Sequence, residues 1–183
     1  MIQLTVLLWV MAALFGYIGF MRGWNKEMIS TSGIILGLFA LSEFADVIDR
    51  MLITATPSQK FFFRVVIFAA IVFFAYQTRA LVGEEAEKAR SRSRESSREG
   101  RDYLQASMLG GVIGFINGYL IWGSLWYFML PDYPLSPYIS TPAPGSASAN
   151  FVNSLPLAIL SSGDGNLLAA AVVIVFVLVL VVI

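Results

Sequence analysis

Apolar residues in this chain fall into long blocks, separated by short charged or proline-bearing stretches. Residues 2–21, IQLTVLLWVMAALFGYIGFM, hold no formal charge. A helix of that length rises about 30 Å, the depth of a bilayer's hydrocarbon core. A first span is predicted there. A cleaved leader is not, because no charged n-region precedes the block and basic residues follow it. Residues 28–48 form a second block whose apolar centre, Gly33 to Leu41, is short, with Glu43 and Asp46 near its far end. It is expected either to span or to dip in and return. Residues 49–60 read as a loop broken by Pro57, and a third span is expected from Phe61 to about Val82. Arg64, near its start, can reach the headgroups. Residues 108–130, MLGGVIGFINGYLIWGSLWYFML, are uncharged and predict a further span, with Trp122, Trp126 and Tyr127 gathered toward its far end as in an interfacial aromatic belt. Residues 131–166 contain six of the seven prolines and predict an extended segment, in which 154–160 is apolar enough to touch the membrane or pack back. Residues 167–183 are seventeen apolar residues, at the short limit for one more span.

The fold class expected is therefore all-α: a polytopic transmembrane helix bundle of four or five spans. Hydrocarbon gives apolar helices no reason to associate, so small residues that let backbones touch must do so. Candidate packing positions are Gly16 and Gly19 (with Ala12 and Gly23) in the first block, Gly33 and Gly37 in the second, and Gly110, Gly114 and Gly118 in the fourth. The last three are spaced by four and share one helix face.

Composition sharpens this. The chain is 57% hydrophobic and only 13% charged, with a mean hydropathy of +0.74, against roughly 45–50% and 25% in soluble domains. It has no Cys and no His, which removes thiol and imidazole chemistry and the usual zinc or haem ligands. No catalytic residue, cofactor or metal site is predicted. Seven Lys/Arg lie between Arg79 and Arg101, interleaved with acids through 83–107, and predict a solvated cytoplasmic linker. The acids leave little positive excess and no aromatic platform accompanies them, so nucleic acid is not an expected partner. With five spans the N-terminus lies outside; with a re-entrant second block it lies inside.

One short cluster stands out at the first turn, GFMRGWNKEMISTSG, residues 19–33. Arg22, Gly23, Lys26 and Glu27 are the candidate contact residues for lipid or a partner. The plainer reading is anchoring: Arg22 and Lys26 hold the turn by charge, Asn25 caps the second helix, and Glu27 sits favourably in its first turn. The sharper reading is an Arg22–Glu27 ion pair dipping below the interface. Asn117 is the one amide inside the fourth block, expected as a hydrogen-bonding tie between helices or as part of a polar path. Glu43 and Asp46, three apart, are expected on one helix face at the interface, with a cation as a lesser option.

The first hairpin resembles that of the colicin V production protein family (CvpA-like membrane proteins). Gly19, Arg22, Gly23, Glu27, Ser30, Gly33 and Gly37 carry the likeness, and Gly110, Gly114 and Gly118 are similar to that family's second signature. Ala106-Ser107 stand where the family often has Asp-Arg, and Asn117 where it often has Arg. The resemblance covers roughly residues 1–130. It implies a multi-pass protein of the bacterial inner membrane, linked to colicin V export and envelope maintenance, with no accepted molecular mechanism. The expected function is a structural or accessory role through the lipid bilayer, other membrane proteins or self-association. The alternative is a small pore or transporter subunit; an enzyme is not expected.

Overall fold

A computed structural model describes residues 3–77, 99–130, 132–161 and 166–182. The helices in chain order are α1 (Leu4–Arg22), α2 (Trp24–Glu43), α3 (Ala45–Met51), α4 (Pro57–Gln77), α5 (Glu99–Met129), α6 (Ala147–Phe151), α7 (Pro156–Ser161) and α8 (Asn166–Val182), with a 3-10 turn at Val152–Ser154. No strand occurs among the described residues. The protein is an all-α transmembrane helix bundle. α1, α4 and Leu104–Met129 of α5 are long and apolar enough to cross a membrane, and α2 with α3 makes a fourth if the bent pair counts as one. α8, at 17 residues, is apolar but shorter than those.

Small residues set the helix pairings. Gly16 lies against Gly111 and Phe115, Gly19 against Gly110 and Gly114, and Gly118 against Ala12. Numbers rise along α1 as they fall along α5, so the two run antiparallel. A Cβ added at Gly19 would stand 2.9 Å from the Gly114 Cα, and one at Gly118 would stand 2.8 Å from the Ala12 Cα. Only hydrogen fits at such a crossing, and close backbones give dispersion contact that larger side chains would prevent. α2 and α4 are also antiparallel: Gly33 faces Ala75 and Gly37 faces Ile71. Phe68 meets Phe128 edge-on, joining α4 to α5. α1 and α4 therefore run one way and α2 and α5 the other. α2 packs against α4, α5 and α8, with Ile34 and Leu38 fully buried on its inward face.

Several boundaries differ from the expectation, each for a local reason. Pro57 does not break a loop; it opens α4 at the first helical position, where its missing N–H costs nothing. Thr56 and Gln59 form the two halves of a capping box: the Gln59 side chain accepts from the Thr56 N–H at 2.9 Å, and the Gln59 N–H donates to the Thr56 hydroxyl at 3.3 Å. Residues 45–51 are helical as well, and Arg64 donates to Asp49 of α3 at 2.7 Å. α2 and α3 meet at a bend of 57°, so Glu43 ends one helix and Asp46 begins the next; the shared face expected for them does not exist, and both are exposed. α5 begins at Glu99, so the last residues of the expected linker belong to the span's helix; residues 83–98 lie outside the described residues, as do 78–82 of the third block.

The described part of the proline-rich segment, 132–161, is not extended. It folds back as a cap on α1 and α5. Pro156 fills the space beside Gly123, Leu155 and Leu157 are buried, Thr5 donates to Ser148 at 3.0 Å, and the Tyr119 hydroxyl bonds the Ser154 carbonyl. Phe151 stacks on Trp126 and meets Trp9 edge-on. Pro134, Pro137 and Pro144 sit in turns and Pro156 at a helix start, where rigidity is compatible with compact packing.

Candidate functional site

Gly23 alone separates α1 from α2. Its φ of 82° and ψ of 158° lie in a region open essentially only to glycine. The reversal is sealed by the Gly23 N–H on the Gly19 carbonyl at 2.9 Å and the Glu27 N–H on the Gly23 carbonyl at 3.3 Å. The single-residue joint brings Arg22, at the end of α1, beside Glu27 in the first turn of α2. The Arg22 Nη1 donates to Glu27 Oε1 at 2.7 Å. The Glu27 side chain is 1% exposed and that of Arg22 23%.

Two further helices reach the same carboxylate. Asn117 of α5, fully buried, donates from Nδ2 to Glu27 Oε2 at 2.9 Å and to the Glu27 carbonyl at 3.2 Å. Tyr76 of α4 donates from its hydroxyl to Oε2 at 3.3 Å. Thr31, one turn after Glu27, places its hydroxyl 2.7 Å from Asn117 Oδ1 and 2.8 Å from the Glu27 carbonyl, sharing one proton between two acceptors. The Arg22 guanidinium lies over the Tyr76 ring at 4.4 Å, a cation–π contact, and Phe15 closes that ring edge-on. One carboxylate thus gathers α1, α2, α4 and α5. Burying a charge is tolerable only when it is paired and its lone pairs are met. Here the ion pair and two neutral donors meet that demand.

The other residues singled out by sequence fall around this centre in different ways. Lys26 is half-buried and not part of the network; Ser30, fully buried, donates to the Lys26 carbonyl at 3.1 Å. Asn25 does not cap α2. Gly23 occupies the cap position with no side-chain bond, and the Asn25 Oδ1 is buried without a partner. Gly16, Gly19, Gly110, Gly114 and Gly118 line the α1–α5 crossing and Gly33 and Gly37 the α2–α4 crossing, so both seams bracket the network. Tyr76 and Thr31 were missed by the sequence reading. Thr31 had a signal, being four residues from Glu27 on the same helix face. Tyr76 had only its hydroxyl near the end of an otherwise apolar span. Among the described residues no group of three or more acids could hold a metal. The arrangement is suited to holding helices in register.

An all-helical, lipid-facing bundle tied by a buried polar knot defines an integral membrane protein. The chain belongs to the colicin V production protein family, whose sequence profile matches residues 4–155. That match extends past the stretch on which the resemblance was drawn, through the folded-back cap to Leu155, and it includes all five network residues but not α8. No curated protein and no solved structure matches the chain.

Proposed function

We propose that this CvpA-like membrane protein serves the bacterial inner membrane as a structural or accessory component of the envelope or of export, acting through contacts with lipid or other membrane proteins. The observation that carries this reading is the saturation of the Glu27 carboxylate. Arg22, Tyr76 and Asn117 all spend donors on it, which favours a scaffold over a catalyst or conduit. Two cavities of the bundle support the same reading, because their walls are almost wholly aliphatic and aromatic and give an ion nothing to replace its hydration. Orientation is part of the proposal. The Arg22–Lys26 turn and the basic run 79–101 are placed on the cytoplasmic side, and the cap of 132–161 on the other.

Two measurements test it together. Purified protein in planar bilayers is expected to give no conductance above the lipid background. Crosslinking with mass spectrometry in native membranes is expected to capture a reproducible set of neighbours, weakened by Glu27→Leu. Unitary currents abolished by Asn117→Leu would replace this reading with a pore.

A further inference from the structure

At the end of the bundle opposite the Arg22–Glu27 turn, α2 stops at Glu43 and the chain bends by 57° into the seven residues of α3. The surface of α3 is sorted three ways. Toward the bundle it turns Ile48, which is buried, with Ala45 and Leu52 half-buried beside it. The outward side is divided along its length. Phe44 at the N-cap, Val47 and Met51 follow a helical spacing on one half, and are between 48% and 76% exposed. Asp46 and Arg50 lie on the other half and are exposed as well. Depth follows from the α2–α4 crossing. Gly33 faces Ala75 and Gly37 faces Ile71, and continuing that register brings Phe44 level with Arg64, the residue that pairs with Asp49 at 2.7 Å. Around that level α4 exposes Phe62, Phe63 and Val66, side chains of a helix long and apolar enough to cross the membrane. The bend therefore lies at the edge of the apolar belt. α2 alone has 20 residues, a rise of about 30 Å that already crosses a hydrocarbon core. Glu43, Asp46, Asp49 and Arg50 would be costly to carry further into it.

We propose that α3 is an interfacial helix seated on the bilayer leaflet at the cap end of the bundle, with Phe44, Val47 and Met51 entering the acyl region of its phospholipids and Asp46 and Arg50 in the water above. The end is fixed by Ser58, in the first turn of α4, which donates to the Pro134 carbonyl of the cap at 3.1 Å. Water alone would leave three adjacent large apolar side chains uncovered. A partner's transmembrane helix would cover them but bring apolar surface against Asp46 and Arg50. A lipid surface, apolar below and aqueous above, matches both halves of the outward side. Such a seat fixes the depth of α2. Glu27 lies about 26 Å from Phe44 along the helix, just inside the opposite edge of a core about 30 Å thick. The inference goes beyond the accessory role proposed above and depends on the depth of α3, whatever the protein's partners are.

The chain has no cysteine, so a nitroxide can be attached at one position at a time in the full chain. The test places it at Asp46→Cys, Val47→Cys, Arg50→Cys and Met51→Cys, in nanodiscs of phosphatidylcholine and phosphatidylglycerol. Power-saturation EPR then compares collisions with oxygen, which concentrates in hydrocarbon, and with a water-soluble nickel chelate. Labels at 47 and 51 are expected to collide mainly with oxygen, and those at 46 and 50 mainly with nickel. The same reading at all four positions overturns the proposal, since the helix then lies wholly in water or wholly in hydrocarbon. Exclusion of both reagents at 47 and 51 overturns it too, because protein then covers the stripe. If the labelled chains fail to assemble, the unaltered protein decides, in nanodiscs containing phosphatidylcholine with a diazirine near the top of one acyl chain. Photo-adducts on Phe44, Val47 or Met51 support the seat, and adducts confined to other helices overturn it.

Discussion

Glu27 is the residue on which the fold's polar chemistry converges. Removing a single partner of a buried pair costs more than the pair is worth, because the survivor stays buried and unmet. Glu27→Leu is therefore expected to destabilise the bundle by about 3 kcal/mol, leaving Arg22 and Tyr76 without their acceptor and Asn117 with only the backbone carbonyl, whereas Glu27→Gln keeps an acceptor oxygen and costs less. Arg22→Gln and Glu27→Gln combined in a double-mutant cycle should show a coupling of about 1 kcal/mol or more, read from SDS titration of helicity in mixed micelles. Simple additivity would mean that the ion pair is incidental. Asn117→Leu is expected to cost about 1–2 kcal/mol, for three lost bonds at the modest strength typical inside membranes. How much of this was legible beforehand follows from chain distance. Arg22 and Glu27 are five residues apart across a glycine, so their pairing is local and readable. Asn117 announces a need for a partner but not which one, since its acceptor lies 90 residues away. Tyr76 is quieter still, because a tyrosine near a span's end is as often an interfacial anchor as a donor.

Between helices, the seam's tolerance is graded by the room each glycine has. Gly19 and Gly114 are closed by backbone, which cannot move aside; a Cβ at either stands 2.9 Å from the other's Cα. Gly111 has 3.5 Å to its nearest neighbours, an ordinary contact. Gly19→Ala and Gly114→Ala should therefore force α1 and α5 apart, and Gly114→Leu should disperse the bundle, while Gly111→Ala is nearly silent. Disulfide trapping between cysteines introduced on facing turns of α1 and α5 would report the separation, and equal trapping in all three Ala variants would remove the seam from the account. Gly23→Ala tests a separate cause. No atom crowds that position, so its expected cost of about 1–3 kcal/mol is backbone strain alone. Spacing by four made these glycines visible in the sequence. The α2–α3 bend was not visible, because it falls at Phe44 with φ −92° and ψ 8°, without the glycine or proline that usually marks one. The cap was misread for the opposite reason: prolines suggest extension, yet Pro156 beside Gly123 shows one used as packing volume.

The profile match and the network together divide the chain unequally. Everything that meets at Glu27 lies within residues 4–155, and α8 lies beyond it, seated on α2 through apolar contact with Leu168 and Val175 buried. In lipid such a seat is held by packing rather than by exclusion of water, because the displaced lipid chain is as apolar as the helix it replaces. A chain ending at Ser161 is therefore expected to keep its network and its α1–α5 crossing and to lose only a small part of its resistance to SDS. The N-terminus bears on the same question. α1 and α4 run in one direction and α2 and α5 in the other, so an N-terminal reporter and one inserted within the cap should both read extracytoplasmic, with or without α8. Truncation that collapses the bundle would show that α2 depends on its fourth neighbour. Truncation that leaves the SDS midpoint nearly unmoved while both reporters keep their side would place the stability of the fold in the four helices that share one carboxylate.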